Sequence, residues 1–136
     1  MRDENRNSYS LGASKVARLD DIERMKARTK AFALSIVKLY SGLPKSTEAS
    51  ILGRQMLRSG TSIGAQYREA IRAKSDADFI SKIEGCLQEL EETRYWLELL
   101  KALNMCDMKF FDYLDDEADQ LIAILTTVVK KIKTNS

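Results

Sequence analysis

The side chains in this chain that could do chemistry are almost all charged, and they are unevenly spread. Arg54, Arg58, Arg68 and Arg72 recur at intervals of four, ten and four residues. On a helix turning about 100° per residue they fall within about 80° of one another. They would form a straight guanidinium ridge about 27 Å long at about 1.5 Å rise per residue. The planar fork of arginine suits pairs of phosphate oxygens, so such a ridge can track a phosphate backbone. Three uses of it stand open: a plain solvated face, pairing with acidic helices of another subunit, or contact with RNA or DNA. The last two are compatible, because a ring of subunits multiplies a modest basic patch.

Carboxylates form the counterpart. Glu84, Glu91 and Glu98 share one helical face at seven-residue spacing, with Glu89 and Glu92 nearby, and Asp112, Asp115, Asp116 and Asp119 crowd a later segment. An all-carboxylate metal site is conceivable there. A solvated acidic face, or one paired with basic residues of another helix, is the simpler expectation. The chain has no histidine. That removes the commonest general base near neutral pH, the Ser-His-Asp and Cys-His arrangements, and the Glu-x-x-His pairs of di-iron bundles. Cys86 and Cys106 have no short metal-type spacing and read as reduced thiols. No Gly-Lys-Ser or Gly-Lys-Thr completes a phosphate loop. The expectation is a non-catalytic protein with no cofactor and no metal.

The charge is divided by segment. From Lys15 to Ser41 seven basic residues face three acidic ones, and from Lys45 to Lys74 six face two. The third segment has three basic and seven acidic residues, the fourth four and six. The first half therefore carries an excess of eight positive charges and the second an excess of six negative ones, although the whole chain is only +2.

Four helices must position these groups. With 136 residues, one proline and six glycines, the chain fits one domain with few loops. Residues 1–14 show no periodicity and read as a flexible arm, and 15–136 as the bundle. In the first helix, from Val16 or Asp20 to Tyr40, the residues Ile22, Met25, Thr29, Phe32, Ile36 and Leu39 recur every three or four positions, the mark of one buried face. Ser41-Gly42-Leu43-Pro44 ends it, with glycine as the cap. The second helix, from about Ser46 to Ala73, buries Ala49, Leu52, Met56, Ile63, Tyr67 and Ala70. Gly53, Gly60 and Gly64 line the edge of that face. Each glycine costs about 1 kcal/mol relative to alanine in a helix interior. Close approach of a neighbouring backbone would offset that, and a kink near Ser59-Gly60 is the alternative. The third helix, from Asp76 to Leu103, follows a capping pair Ser75/Asp78 and buries Phe79, Ile83, Cys86, Leu90, Leu97 and Leu100, with Asn104 as its stop. The fourth, from Met108 to Ile132 after Asp107, buries Phe111, Leu114, Ala118, Leu121, Leu125, Val128 and Ile132. Short connections make neighbours antiparallel, so the expected fold is all-α, an up-down-up-down four-helix bundle. No apolar run reaches the ~18–20 residues that cross a bilayer, and residues 1–14 lack a signal-peptide core, so a cytoplasmic location is expected.

Arg58-Ser59-x-x-Ser62-Ile63-x-Ala65-Gln66-x-x-Glu69-Ala70, then Ser75-x-x-Asp78-Phe79, then Glu89-Leu90-x-Glu92-Thr93, resembles the four-helix-bundle family encoded in intervening sequences of bacterial 23S ribosomal RNA genes. That family is similar to the accessory variability protein of diversity-generating retroelements. The likeness runs from Asp20 to Ile132, with Gln66 where many relatives have Asn. It implies a homopentamer of bundles. It also implies a basic surface for nucleic acid and, in a retroelement setting, a reverse transcriptase as partner. On the pentamer reading Ser59, Ser62, Gln66 and Glu69 would pack and hydrogen-bond across an oligomer interface. A protein–protein adapter or scaffold with no nucleic-acid role is the competing expectation.

Overall fold

Residues 19–135 are described by a computed structural model. They form four helices: α1 (Leu19–Ser41), α2 (Thr47–Ala70), α3 (Asp76–Ala102) and α4 (Met108–Asn135). Val16 and the arm 1–14 lie outside the described residues.

The helix ends follow local chemistry. Ser46 Oγ accepts from the Ala49 amide at 3.2 Å, and Ser75 Oγ from the Asp78 amide at 3.1 Å. Asp107 Oδ1 accepts from the Lys109 amide at 2.8 Å. Each ties down one of the amides that a helix start leaves without a partner. Asn104 ends α3 in the left-handed region, φ 56°, which asparagine tolerates, while the Met105 amide reaches back to the Leu100 carbonyl at 2.9 Å. Gly42 differs from expectation. No described glycine has positive φ. The Leu43 amide instead closes a tight turn on the Tyr40 carbonyl at 3.2 Å.

All six predicted α1 core residues are buried, as are all six of α3. On α2, Leu52 is only partly buried and Gly53 takes the inward place beside it. On α4 the buried residue near the C-terminus is Val129, not Val128. A straight helix drifts about 20° per heptad, and late in this long helix that drift has rotated Val128 out of the seam.

Glycines bring α1 and α2 together, and α2 runs unbroken through Gly60. A Cβ on Gly60 would lie 2.8 Å from Ile36 Cγ1, and one on Gly53 2.6 Å from Leu43 Cδ1. One on Gly64 would lie 3.1 Å from Thr29 Oγ1. The pairs 43/53, 36/60 and 29/64 run in opposite senses, so α1 and α2 are antiparallel. Across α2 and α3 the pairs Arg58/Glu92 and Glu69/Lys82 do the same. Across α3 and α4 so do Arg94/Asp115 and Glu84/Lys133. The result is an antiparallel four-helix bundle with one apolar interior. No described helix is long and apolar enough to cross a membrane.

Candidate nucleic-acid interface

The predicted site residues sit on α2 or just past its end, and the structure divides them. Arg58 is held by α3. Its guanidinium donates to Glu89 Oε2 at 3.2 Å and to the Glu92 carboxylate. Those two bonds, Glu92 foremost, hold its pKa above the ordinary arginine value. Arg72 departs from expectation in another way. The helix expected to reach Ala73 stops at Ala70, because Ile71 and Ala73 turn inward and are buried, and Arg72 stands in the turn between them. The four-membered ridge is therefore not continuous. Arg54 and Arg68 remain on α2, about 21 Å apart along its axis. Arg54, Arg68 and Arg72 are exposed, and none is ion-paired to a described residue.

Of the residues expected at an oligomer interface, Ser59, Gln66 and Glu69 are engaged across the α2–α3 seam of one chain and Ser62 within α2 itself. Ser59 is fully buried and its hydroxyl is bonded to that of Thr93 at 2.8 Å. It has no surface to offer a second subunit. The Ser62 hydroxyl donates to the Arg58 carbonyl at 2.6 Å. Gln66 Nε2 donates to Glu89 Oε2 at 3.4 Å. Glu69 accepts from Lys82 at 3.3 Å and is exposed. Gly85 explains the fit of Gln66: a Cβ there would lie 2.1 Å from Gln66 Oε1. The long amide occupies the space that a side chain on α3 would fill. Nothing in the helical spacing marked Gly85, because its role depends on the α2–α3 register.

Apart from Lys74 before α3 and Lys109, Lys130 and Lys131 on α4, the exposed cations without an ion pair to a described residue gather on the outer side of α1 and α2. Lys30 follows Thr29, which touches Gly64, and Arg68 lies one turn beyond Gly64. Lys30 and Lys38 on α1, Arg54 and Arg68 on α2, and Lys45 and Arg72 in the turns are all exposed, with no ion pair to a described residue. Leu34 and Val37 stand among them, 54% and 41% exposed. Sequence reasoning found the α2 half of this face and missed Lys30 and Lys38, whose contribution requires knowing which side of α1 meets α2.

The opposite side, α3 and α4, is acidic and only partly neutralised by its own cations. Arg94 Nε donates to Asp115 Oδ1 at 3.0 Å and Nη1 to Asp119 at 3.4 Å, while Lys133 meets Glu84 at 3.4 Å. Among the described residues no group of three histidine, cysteine or carboxylate side chains is arranged to hold a metal ion. Burial pushes the Cys86 thiol up to about 12, and raises Cys106 less.

Between α1 and α4 the bundle is least closed. Arg28 spans that gap as a clasp, donating to both oxygens of Glu117 at 3.0 and 2.7 Å and to Gln120 Oε1 at 3.1 Å. Beyond the clasp lies a groove of about 530 Å³. Its floor is Ile22, Met25, Tyr67, Ile71 and Phe79, and α4 supplies Ile124, Leu125 and Val128.

Residues 23–127 match the family model for the 23S rRNA-intervening sequence protein. The chain belongs to that family. The match spans most of α1, both central helices and most of α4, and so includes every residue of the cationic face. A solved structure from Bacteroides thetaiotaomicron, a protein of unknown function from the S23 ribosomal protein family, is similar at 38% identity and a TM-score of 0.73. That similarity covers 77% of this chain and 97% of the other. No curated protein matches. Within this family member the Arg58–Glu89–Gln66 ties and the Ser59–Thr93 bond lie inside the matched region. The motif residues Arg58, Ser59, Gln66, Glu89, Glu92 and Thr93 thus meet on one intrachain seam, whereas Ser75 caps α3 and Phe79 lines the α1–α4 groove.

Proposed function

We propose that this family member is a non-catalytic, oligomeric accessory protein that binds nucleic acid through the outer face of α1 and α2. One observation carries the reading. Lys30, Lys38, Lys45, Arg54, Arg68 and Arg72 stand exposed without carboxylate partners among the described residues, whereas Arg24, Lys26, Arg28 and Arg58 on the same two helices are engaged by carboxylates. A face of uncompensated arginine and lysine attracts a polyphosphate and releases its counterions on contact. The family description, which refers to 23S ribosomal RNA, agrees with a nucleic-acid role. A homopentamer, the assembly implied by the resemblance, would repeat the face five times. A reverse transcriptase is the protein partner proposed where the gene lies beside one.

The test is binding of labelled RNA or DNA across a salt series. Affinity should fall steeply with salt. Arg54→Ala with Arg68→Ala and Arg72→Ala should flatten the dependence by about 0.7–0.9 in log–log slope for each phosphate no longer engaged. Light scattering reads the oligomer independently. Absent or salt-insensitive binding at low ionic strength removes the proposal. The adapter reading draws on a different observation, the apolar α1–α4 groove. Recovery of one protein partner after nuclease treatment, with no nucleic-acid binding, would favour it.

A further inference from the structure

We infer that the cationic face takes a double helix, meeting two rows of phosphates, in preference to a single strand. The inference rests on the nucleic-acid reading above and asks which form that face fits.

Single strands are held by cations and stacking rings that work side by side: a charged groove follows the backbone while aromatic side chains receive the unstacked bases. In this molecule the cationic cluster and the exposed rings are on different faces; Lys109, one turn before Tyr113, is a single cation standing among Asp107, Asp112 and Asp116. The exposed rings among the described residues are Tyr95 on α3 and Tyr113 on α4, 53% and 51% exposed. Glu91, Glu98, Asp112 and Asp116 share the exposed surface of those helices. A strand stacked on these rings would bring its phosphates against carboxylates. On the α1–α2 side, Tyr40 is half-buried, with its ring atoms 3.0–3.1 Å from where a Gly53 Cβ would stand. It fills the helix seam and cannot receive a base. The apolar groups exposed between the cations, Leu34 and Val37, are aliphatic and have no π-face.

A duplex needs no stacking platform, because its bases are already stacked and what it presents outward is phosphate. The cations suit that form. Lys30 and Lys38 make one line on α1, Arg54 and Arg68 a second on α2, and Lys45 and Arg72 stand near opposite ends. Packed helix axes lie about 8–10 Å apart. Two lines at that separation can face two phosphate rows across one groove of a duplex, whereas a single strand can follow only one line. Double-stranded DNA and double-stranded RNA share this two-row chemistry, so the inference covers both.

Fluorescence anisotropy on the full chain separates the outcomes. The probes are a labelled DNA strand of about 20 nucleotides, long enough to span the ~21 Å between Arg54 and Arg68, its duplex, and the same pair in RNA, each at low salt. Duplex should bind at least about tenfold tighter than its own single strand in either sugar, the excess reflecting the added phosphate contacts. Lys30→Ala with Lys38→Ala should weaken duplex binding more than single-strand binding, with an unchanged circular-dichroism spectrum showing that the fold persists. Tyr95→Ala with Tyr113→Ala should change neither. Single strands bound as tightly as duplex in both sugars, or released when the two tyrosines are removed, would overturn the inference and leave the basic face as a binding surface. No binding of any probe at low salt would overturn the face itself.

Discussion

The α2–α3 seam and the α1–α4 seam join helices of similar length in one bundle, yet they are closed in different ways. Between α2 and α3 the packing is continuous. Gly85 admits Gln66, Ser59 meets Thr93, and Glu89 and Glu92 hold Arg58 along one line. Between α1 and α4 one clasp, Arg28 on Glu117 and Gln120, holds the middle, and an apolar groove opens beside it. The difference teaches where this bundle is committed and where it is accessible. The motif-rich seam is a structural spine that consumes its polar groups internally. The sparse seam leaves core residues such as Met25 and Phe79 lining a cavity open at the surface.

Truncation should separate the seams most clearly. Ile63→Ala, fully buried on α2, should cost about 2–5 kcal/mol because it opens a cavity in tight packing. Val128→Ala, at the groove wall, should cost less than about 1 kcal/mol, since its side chain already faces partly open space. Equal changes in denaturant unfolding would remove the distinction.

The next largest effect belongs to the clasp. Arg28→Ala leaves Glu117 half-buried without its partner, and should destabilise by about 1–3 kcal/mol. Hydrogen exchange should then speed up in the first turns of α1, with α2–α3 protection nearly unchanged. Uniform acceleration would mean that the seams open together.

Alkaline pH should affect the interior behind the α2–α3 seam. The Cys86 thiol titrates near 12 in the folded chain, raised mainly by burial from an ordinary value of 9.0. Between those values the unfolded chain has released a proton that the folded chain keeps, so stability is intact below pH 9.0 and declines as pH climbs toward 12. The slope should be about 1.4 kcal/mol per pH unit, and Cys86→Ala should remove that part of it. An identical alkaline profile in the variant would show that the thiol carries no such penalty.

The smallest effect should come from Gly85→Ala. The new methyl meets the far end of Gln66, which can swing away at the expense of its bond to Glu89. Breaking that bond should cost about 0.5–1.5 kcal/mol, offset by about 1 kcal/mol gained on replacing a helix-interior glycine with alanine, for a net change within about 0.5 kcal/mol. The Gln66–Glu89 bond kept in a crystal structure of the variant would show that α3 yields instead.

The bundle was legible from residue spacing because a helix buries what recurs every three or four positions, and Ile22 to Leu39 kept that rhythm without a break. Val128 was misplaced for Val129 where the rhythm drifts late in a long helix. The glycines of α2 were legible as close-packing sites because an interior glycine needs an offsetting interaction. The cationic face was only half legible. The wheel put Arg58 with Arg54 and Arg68, but its side chain reaches around α2 to the carboxylates of Glu89 and Glu92. That reach depends on register between helices, which one helix's spacing does not contain. Lys30, Lys38, the Arg28 clasp and the groove share this origin, since each is defined by two segments far apart in the chain.

The most direct test of the account is chemical-shift mapping of the isotope-labelled chain with a short nucleic-acid duplex. Perturbations should concentrate at Lys30, Lys38, Arg54, Arg68 and Arg72, and fade as salt is added. Perturbations centred instead on α3 and α4, or none at low salt, would contradict it.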